Sequence, residues 1–183
     1  NSSPIVLRGY PGESRVDIMT SDGSITRLDL LRHATTVLRL GSLTEDPLRK
    51  MVLSTSADSF AMTDRQSVLV HHKMTPGAGW KKEWSDGSPQ ALGLDLDNEI
   101  LVVGRGGGQI DAFRFRDGSP LWSQSAFRVA PTLVIDPRGR WIVANALNED
   151  LQVRDLKTGA LLRSLPAKEA RVNTMAFDAQ GTQ

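Results

Sequence analysis

Residues 91–122, ALGLDLDNEILVVGRGGGQIDAFRFRDGSPLW, decide the fold of this chain. They comprise four apolar or alternating runs of strand length, separated by turn residues such as Asp-Asn, Gly-Gly-Gly and Asp-Gly. Alternation of apolar and polar residues is typical of a strand that has one buried face. The stretch therefore predicts a meander of four antiparallel strands.

The same pattern occurs three times in one frame. Moved forward by 41 positions, the stretch matches residues 133–162, and moved back by 41 positions it matches residues 51–80. The apolar residues and glycines that correspond in the forward match are Leu92, Leu94, Leu101, Val103, Ile110, Gly118 and Leu121 with Leu133, Ile135, Ile142, Ala144, Leu151, Gly159 and Leu162. A period near 40 residues with four strands in each unit is typical of β-propeller blades.

The predicted fold is therefore all-β, a β-propeller fragment of about four four-stranded antiparallel blades plus the first strand of another. Within a single domain of residues 1–183, the blades cover residues 1–40, 51–90, 91–126 and 127–165, and a further blade starts at 172–183. A blade reduced to one strand does not cover its own apolar faces. We therefore expect self-association, or the remainder of a parent chain, to complete the ring. Without it, apolar residues such as Ile142 and Leu151, or their neighbours, are predicted to be poorly covered on an outer face.

Composition excludes several classes of protein. The chain has 183 residues, of which 39% are hydrophobic and 23% charged, and its net charge is +1. No apolar run approaches the length of a membrane span, and no basic cluster attracts phosphates, so we expect neither a membrane nor a nucleic-acid partner. The absence of cysteine excludes disulfides and thiolate metal sites. We expect a cytoplasmic location, with the periplasm as the alternative.

Two segments of the fourth predicted blade resemble a WD-repeat. They are residues 136–144, DPRGRWIVA, and residues 151–159, LQVRDLKTG. Arg154 and Asp155 stand where that family has Trp-Asp. The resemblance implies a propeller.

Residues 112–122, AFRFRDGSPLW, are similar to the tryptophan-docking motif of quinoprotein-like propellers. The positions that match the motif are Ala112, Gly118 and Trp122 in this blade and Asp155, Thr158 and Gly159 in the next, whereas Arg114, Asp117, Ser119 and Arg163 depart from it. The resemblance implies that Trp122 packs between the third and fourth blades. Trp141 is also predicted to pack between blades, and Trp80 and Trp84 are expected to be partly exposed and less important.

The polar motifs of the chain indicate structure rather than catalysis. The glycine-rich run at residues 104–108 precedes a strand instead of a helix, so it predicts a hairpin turn and not a phosphate site. Adjacent His71 and His72 point to opposite faces of a strand and do not chelate one metal together. Asp95 and Asp136 end first strands, where a carboxylate accepts hydrogen bonds from the following turn. We expect no catalytic residue, no cofactor and no metal site.

The preferred functional hypothesis is a non-catalytic scaffold that binds a protein or peptide through loops on one rim of the propeller. Three loops are predicted to share that rim, at residues 85–90, 123–128 and 166–171. Phe127, Arg128 and Arg171 are the candidate contacts, because aromatic and arginine side chains dominate binding energy at interfaces. The alternatives are the propeller of a quinoprotein-like redox enzyme and a periplasmic assembly scaffold of the same fold.

Overall fold

A computed structural model describes residues 4–9, 14–20, 24–39, 50–53, 59–72, 79–167, 172, 174–178 and 181. The prediction of an all-β chain is confirmed for these residues. Their strands are β1 Pro4–Gly9, β2 Arg15–Thr20, β3 Ser24–Asp29, β4 Ala34–Arg39, β5 Lys50–Leu53, β6 Phe60–Thr63, β7 Ser67–His71, β8 Gly79–Glu83, β9 Pro89–Asp95, β10 Ile100–Arg105, β11 Gln109–Arg114, β12 Pro120–Ser125, β13 Thr132–Ile135, β14 Trp141–Asn145, β15 Leu151–Asp155 and β16 Leu161–Leu165. Among the described residues there is no helix of the length and hydropathy that crossing a membrane requires.

The strands form four antiparallel sheets, each a meander in which sequence neighbours pair. Sheet 1 contains β1 to β4, sheet 2 contains β5 to β8, sheet 3 contains β9 to β12, and sheet 4 contains β13 to β16. The predicted four-stranded meanders are thus confirmed. The turn aspartates behave as predicted, since Asp95 Oδ1 accepts hydrogen bonds from the backbone of Asp97 and Asn98 at 3.0 and 3.3 Å, and Asp136 Oδ1 accepts one from Arg138 at 3.2 Å.

The sheets meet through their first strands. β9 contacts both β5 and β13, and β1 contacts β5. Sheet 3 therefore has a neighbour on each face, which explains why every residue of β10 is buried and why its sequence, ILVVGR, is almost continuously apolar.

Two apolar interfaces separate the central sheets. The sheet 2–3 interface contains Ala61, Val68, Val70, Leu101, Val103, Phe113 and Phe115. The sheet 3–4 interface contains Ala91, Ile100, Val102, Ile110, Ala112, Phe127, Leu133, Ile142, Ala144, Ala146 and Leu156. The alternation of side chains along β10 sends Leu101 and Val103 to one interface and Ile100 and Val102 to the other.

The prediction of a poorly covered outer face in sheet 4 holds for the neighbours of Ile142 and not for Ile142 itself. Ile142 is completely buried in the sheet 3–4 interface. Successive residues of a strand point to opposite faces, so Trp141 and Val143 take the outer face instead. Both are half-buried, and the guanidinium carbon of Arg140 lies 4.0 Å from the Trp141 ring centre.

Trp122 lies between sheets 3 and 4, as predicted. Its Nε1 donates a hydrogen bond to the Leu156 carbonyl at 3.0 Å. The ring lies directly on Gly159, where a Cβ atom would come within 2.6 Å of Trp122 Cε3. Gly159 also has a positive φ of 72°, so both the backbone and the neighbouring ring favour glycine.

Trp80 makes the same contact one sheet earlier. It is half-buried, in agreement with the expected partial exposure, but its contacts do not support a lesser role than that of Trp122. Its Nε1 donates to the Phe115 carbonyl at 2.8 Å, and its ring lies on Gly118. The hairpin connection between the paired residues Thr63 and Val68 of β6 and β7 is one residue shorter than that between Gly104 and Ile110 of β10 and β11. The shorter loop moves the repeat frame by one position, and Trp80 therefore corresponds to Trp122 rather than to Leu121. Both tryptophans are half-buried.

The predicted strand at residues 172–178 is not a strand in the structure, where its described residues are irregular. A β-strand needs a hydrogen-bonded neighbour, and the described residues supply none here. The turn that follows is nevertheless formed: Gly181 N donates to Asp178 O at 3.0 Å, as Gly139 N donates to Asp136 O at 2.8 Å.

Candidate functional site

The loops that enter the first strands meet the loops between second and third strands at one edge of the molecule. We call this edge the rim and define it by residues 84–88, 106–108, 126–131 and 146–150. Gly106 N donates to Ser88 O at 2.8 Å, and Ala126 N and Phe127 N donate to Gly108 O at 3.1 and 3.0 Å. Two of the loops predicted to share a rim, 85–90 and 123–128, therefore bind the same hairpin.

Arg105 lies beneath this hairpin and anchors the rim. Its side chain is 8% exposed, and its Nε lies 2.7 Å from Asp111 Oδ2. Its Nη1 donates to both the carbonyl and the carboxylate of Asp86, at 3.0 and 2.9 Å. Removal of one partner from a buried ion pair leaves an uncompensated charge. The run at residues 104–108 is thus a structural hairpin, anchored by an arginine.

Phe127 is a core residue, which differs from its predicted role as an exposed contact. It is 8% exposed and belongs to the sheet 3–4 interface. The hydrogen bond from Phe127 N to Gly108 O holds this part of the loop against the hairpin. Because Gly108 has no Cβ, the Phe127 carbonyl approaches its backbone closely, and the aromatic ring contributes to packing instead of to a partner.

Arg128 is exposed on the rim, beside an open cavity of about 400 Å³. The residues that line the cavity are Arg128, Asn148, Glu149, Asp150, Gln152 and Ser164. Arg128 N donates to Glu149 Oε1 at 2.7 Å, which joins the loop after sheet 3 to the loop between β14 and β15. Arg171, the other predicted contact, lies outside the described residues.

The cavity walls are fixed by hydrogen bonds to the backbone. Asn145 Nδ2 donates to Glu149 O at 2.9 Å, and Gln152 Nε2 donates to Ala126 O at 3.0 Å. Asn148 has a positive φ of 61°, a conformation that asparagine tolerates better than most residues. These contacts therefore hold the loop between β14 and β15 in its conformation.

Positively and negatively charged groups line the cavity, and apolar side chains lie beside it. The guanidinium of Arg128 and the carboxylates of Glu149 and Asp150 line it. Leu147 and Val129, from the same two loops, are 58% and 43% exposed. Such a surface can pair with polar backbone or charged groups and cover apolar ones, which are the requirements for binding a peptide or protein.

The sequence frame did not identify the acidic half of this cavity. Glu149 and Asp150 follow β14 in a short loop, and their only sequence signal is the run Asn-Glu-Asp after an apolar strand. Their position beside Arg128 depends on how sheet 4 packs against the preceding loop. The order of apolar and polar residues within one strand does not predict that contact.

His72, which directly follows β7, has a packing role. His72 Nε2 lies 2.9 Å from the Arg116 carbonyl, and its ring contacts Phe115 edge to face at 5.0 Å. Across the part of the chain that the structure describes, no three histidine, aspartate or glutamate side chains converge in a way that would hold a metal ion.

Comparison with known proteins does not assign the chain to a family. No family model matches it, and a search of curated proteins finds no match. The resemblances to WD-repeat and quinoprotein-like propellers therefore depend on the residues of the chain itself.

Proposed function

We propose that this chain is a segment of a β-propeller of the WD-repeat or quinoprotein-like type, and that it is a non-catalytic scaffold. Its rim binds a protein or peptide partner, with Arg128 as the principal contact. The observation that carries the proposal is the open cavity beside Arg128, formed by loops from two adjacent sheets that are hydrogen-bonded to each other.

The arrangement of the sheets supports a propeller. Successive sheets contact each other through their first strands, β5, β9 and β13, which is how blades surround a central axis. The contact between a tryptophan and the next sheet occurs twice, through Trp80 and Trp122. A contact that recurs from sheet to sheet is what a radial repeat requires.

The chemistry of the rim supports binding rather than a reaction. The buried charged group beneath the rim, Arg105, is hydrogen-bonded to Asp86 and lies beside Asp111, so it serves the fold. The exposed groups at the cavity, Arg128 with Leu147 and Val129, combine a charge with apolar surface. Arginine flanked by apolar contacts is a frequent centre of binding energy.

Selection of a peptide-display library on the immobilised chain tests the proposal. We expect peptides selected on the unaltered chain to bind the Arg128→Ala, Arg171→Ala double variant at least ~10-fold more weakly, which corresponds to about 1.4 kcal/mol. The melting temperature should not change, because Arg128 is exposed and its backbone contact to Glu149 does not need the side chain.

The matched control is the Arg116→Ala, Arg163→Ala double variant. Both arginines are exposed and lie away from the rim, in the turn before β12 and in β16. Peptides should bind this control as they bind the unaltered chain. Selected peptides that bind the Arg128, Arg171 variant equally well would refute the rim as the binding surface.

A quinoprotein-like redox enzyme is the second candidate, favoured by the repeated tryptophan contacts of Trp80 and Trp122. The resemblance places a redox cofactor at the centre of such a ring. Addition of pyrroloquinoline quinone and calcium to the purified protein should then produce a cofactor absorbance that stays with the protein on gel filtration. A scaffold gives no such retention, whether it works in the cytoplasm or, as the remaining alternative, in periplasmic assembly.

A further inference from the structure

The outer face of sheet 4 corresponds to a face that is fully covered in sheet 3. Toward sheet 4, sheet 3 presents Ile100, Val102, Ile110 and Ala112, which are at most 4% exposed. The corresponding residues of sheet 4, 41 positions later, are Trp141, Val143, Leu151 and Val153. All four are half-buried and form an apolar surface that spans the strands β14 and β15.

A turn already rests on this side of sheet 4. Arg140 Nη2 donates to the Gly181 carbonyl at 2.9 Å, while Arg140 Nε binds Asp136 Oδ2 at 2.5 Å. Gly181 lies so close to Asp136 that a Cβ atom has no room, and Gly139 lies equally close to Asp95 one sheet earlier. The turn at residues 178–181 thus has the same position relative to sheet 4 as the turn at residues 136–139 has relative to sheet 3.

The residues before this turn have the exposure pattern of a strand with one face against protein. Met175 and Phe177 are half-buried, and Thr174, Ala176 and Asp178 are exposed. Met175 and Phe177 lie 42 positions after Leu133 and Ile135. Leu133 and Ile135 pack against Gly93 in the first strand of sheet 3.

Arg163 has the position in sheet 4 that Trp80 has in sheet 2 and Trp122 has in sheet 3. In the strand pairing, Trp80 lies opposite Val70, Trp122 lies opposite Ala112, and Arg163 lies opposite Val153. Each tryptophan donates a hydrogen bond to a carbonyl of the following sheet. A guanidinium is also a planar donor, with five N–H groups, and it stacks on flat surfaces. Arg163 is exposed.

We propose that the outer face of sheet 4 is an interface for one further four-stranded sheet of the same repeat, in which residues 172–178 are the first strand and Arg163 takes the part of the docking tryptophan. The occupant is a sheet and not an isolated peptide, because the apolar surface extends over neighbouring strands. The turn at residues 178–181 sets its register through Arg140 and Asp136. The inference rests on the repeat arrangement of the proposed function, but the interface is separate from the rim, so a failure of peptide binding at Arg128 would leave it unaffected.

An extended chain tests the interface directly. A second copy of residues 142–167, placed after Gln183, supplies three strands that can pair with a first strand at 172–178, and it contains no tryptophan. We expect the fluorescence of Trp141, isolated by subtraction of the Trp141→Phe variant, to shift to shorter wavelength and to become less accessible to acrylamide. Unchanged accessibility of Trp141 would overturn the proposal, whether the added segment folds elsewhere or stays unstructured.

An extension with the same residues in shuffled order is the matched control, because it keeps the composition and removes the apolar alternation. It should leave Trp141 as accessible as in the unextended chain, and equal protection would count against a specific sheet. Arg163→Ala should lower the melting temperature of the extended chain and leave that of the unextended chain unchanged. An equal effect in both chains would contradict the role of Arg163.

Discussion

Sheets 3 and 4 share one pattern of apolar residues and turn glycines, but their outer faces have different surroundings. Val102 and Ile110 of sheet 3 are completely buried against sheet 4, whereas the corresponding Val143 and Leu151 of sheet 4 are half-buried. Sheet 2 resembles sheet 3, since its Val68 and Val70 are covered by the sheet that follows. The comparison teaches that a repeat determines which side chains are apolar, and that the neighbouring sheet determines how much those side chains stabilise the fold.

The largest expected difference is between Ile110→Ala and Leu151→Ala. Truncation of a fully buried isoleucine leaves a cavity and costs about 2–5 kcal/mol. Leu151 is half-buried, so its truncation removes less apolar contact and should cost about 1 kcal/mol. Urea unfolding monitored by circular dichroism measures both. Equal losses of unfolding free energy would show that the two faces are equally covered in solution.

A second comparison concerns Trp122 and Trp80, which contact the following sheet, and Arg163 at the equivalent position of sheet 4. Trp122→Ala and Trp80→Ala should each lower the free energy of unfolding by about 3 kcal/mol, because each ring packs on a glycine and each Nε1 donates to a carbonyl. Arg163→Ala should change it by no more than about 0.5 kcal/mol, as is usual for exposed side chains.

The control for the hydrogen bond is Trp122→Phe, which keeps an aromatic ring and removes the donor. It should lose less stability than Trp122→Ala. If Trp80→Ala proved harmless while Trp122→Ala was severe, the correspondence between the two tryptophans would be contradicted.

The smallest expected effect is a loss of stability at low pH that is due to protonation of Asp136, directly after β13 in sheet 4. Burial by itself raises the pKa of Asp136, but the hydrogen bonds from Arg140 and from the Arg138 backbone outweigh burial and hold the pKa below its usual value. A carboxylate with a lowered folded-state pKa contributes stability that is complete above the unfolded value of about 3.9 and is lost as the pH falls below it. The free energy of unfolding should therefore decrease below about pH 4.

Asp136→Asn separates this effect from that of the other carboxylates. The Thr158 hydrogen bond lowers the pKa of Asp155, and hydrogen bonds from Ser67 and Gln66 lower that of Asp64 against the effect of burial. The Asn variant should be less stable than the unaltered chain at neutral pH, and its stability should fall less steeply on acidification. An identical slope in urea titrations from pH 6 to pH 2.5 would exclude Asp136 as a contributor.

Part of the candidate site was also accessible from the sequence. The repeat predicted that the loops at residues 85–90 and 123–128 share an edge, because equivalent connections of a repeat lie on the same side. It did not predict that Phe127 is buried, since an aromatic residue in a loop has no periodic neighbours from which a face can be assigned. Nor did it place Glu149 and Asp150 beside Arg128, a contact that forms only when sheet 4 packs on the preceding loop.

The sequence alone determined the strands, the turns and the four meanders, because alternation and turn chemistry act between residues that are close in the chain. It also indicated that Trp122 lies between sheets, through the similarity of residues 112–122 to a tryptophan-docking motif. Only the tertiary structure decided that Ile142 points inward and that Trp80 is equivalent to Trp122. Those properties depend on which sheet lies opposite and on a loop that is one residue shorter, and the packing of distant residues, rather than any local preference, decides them.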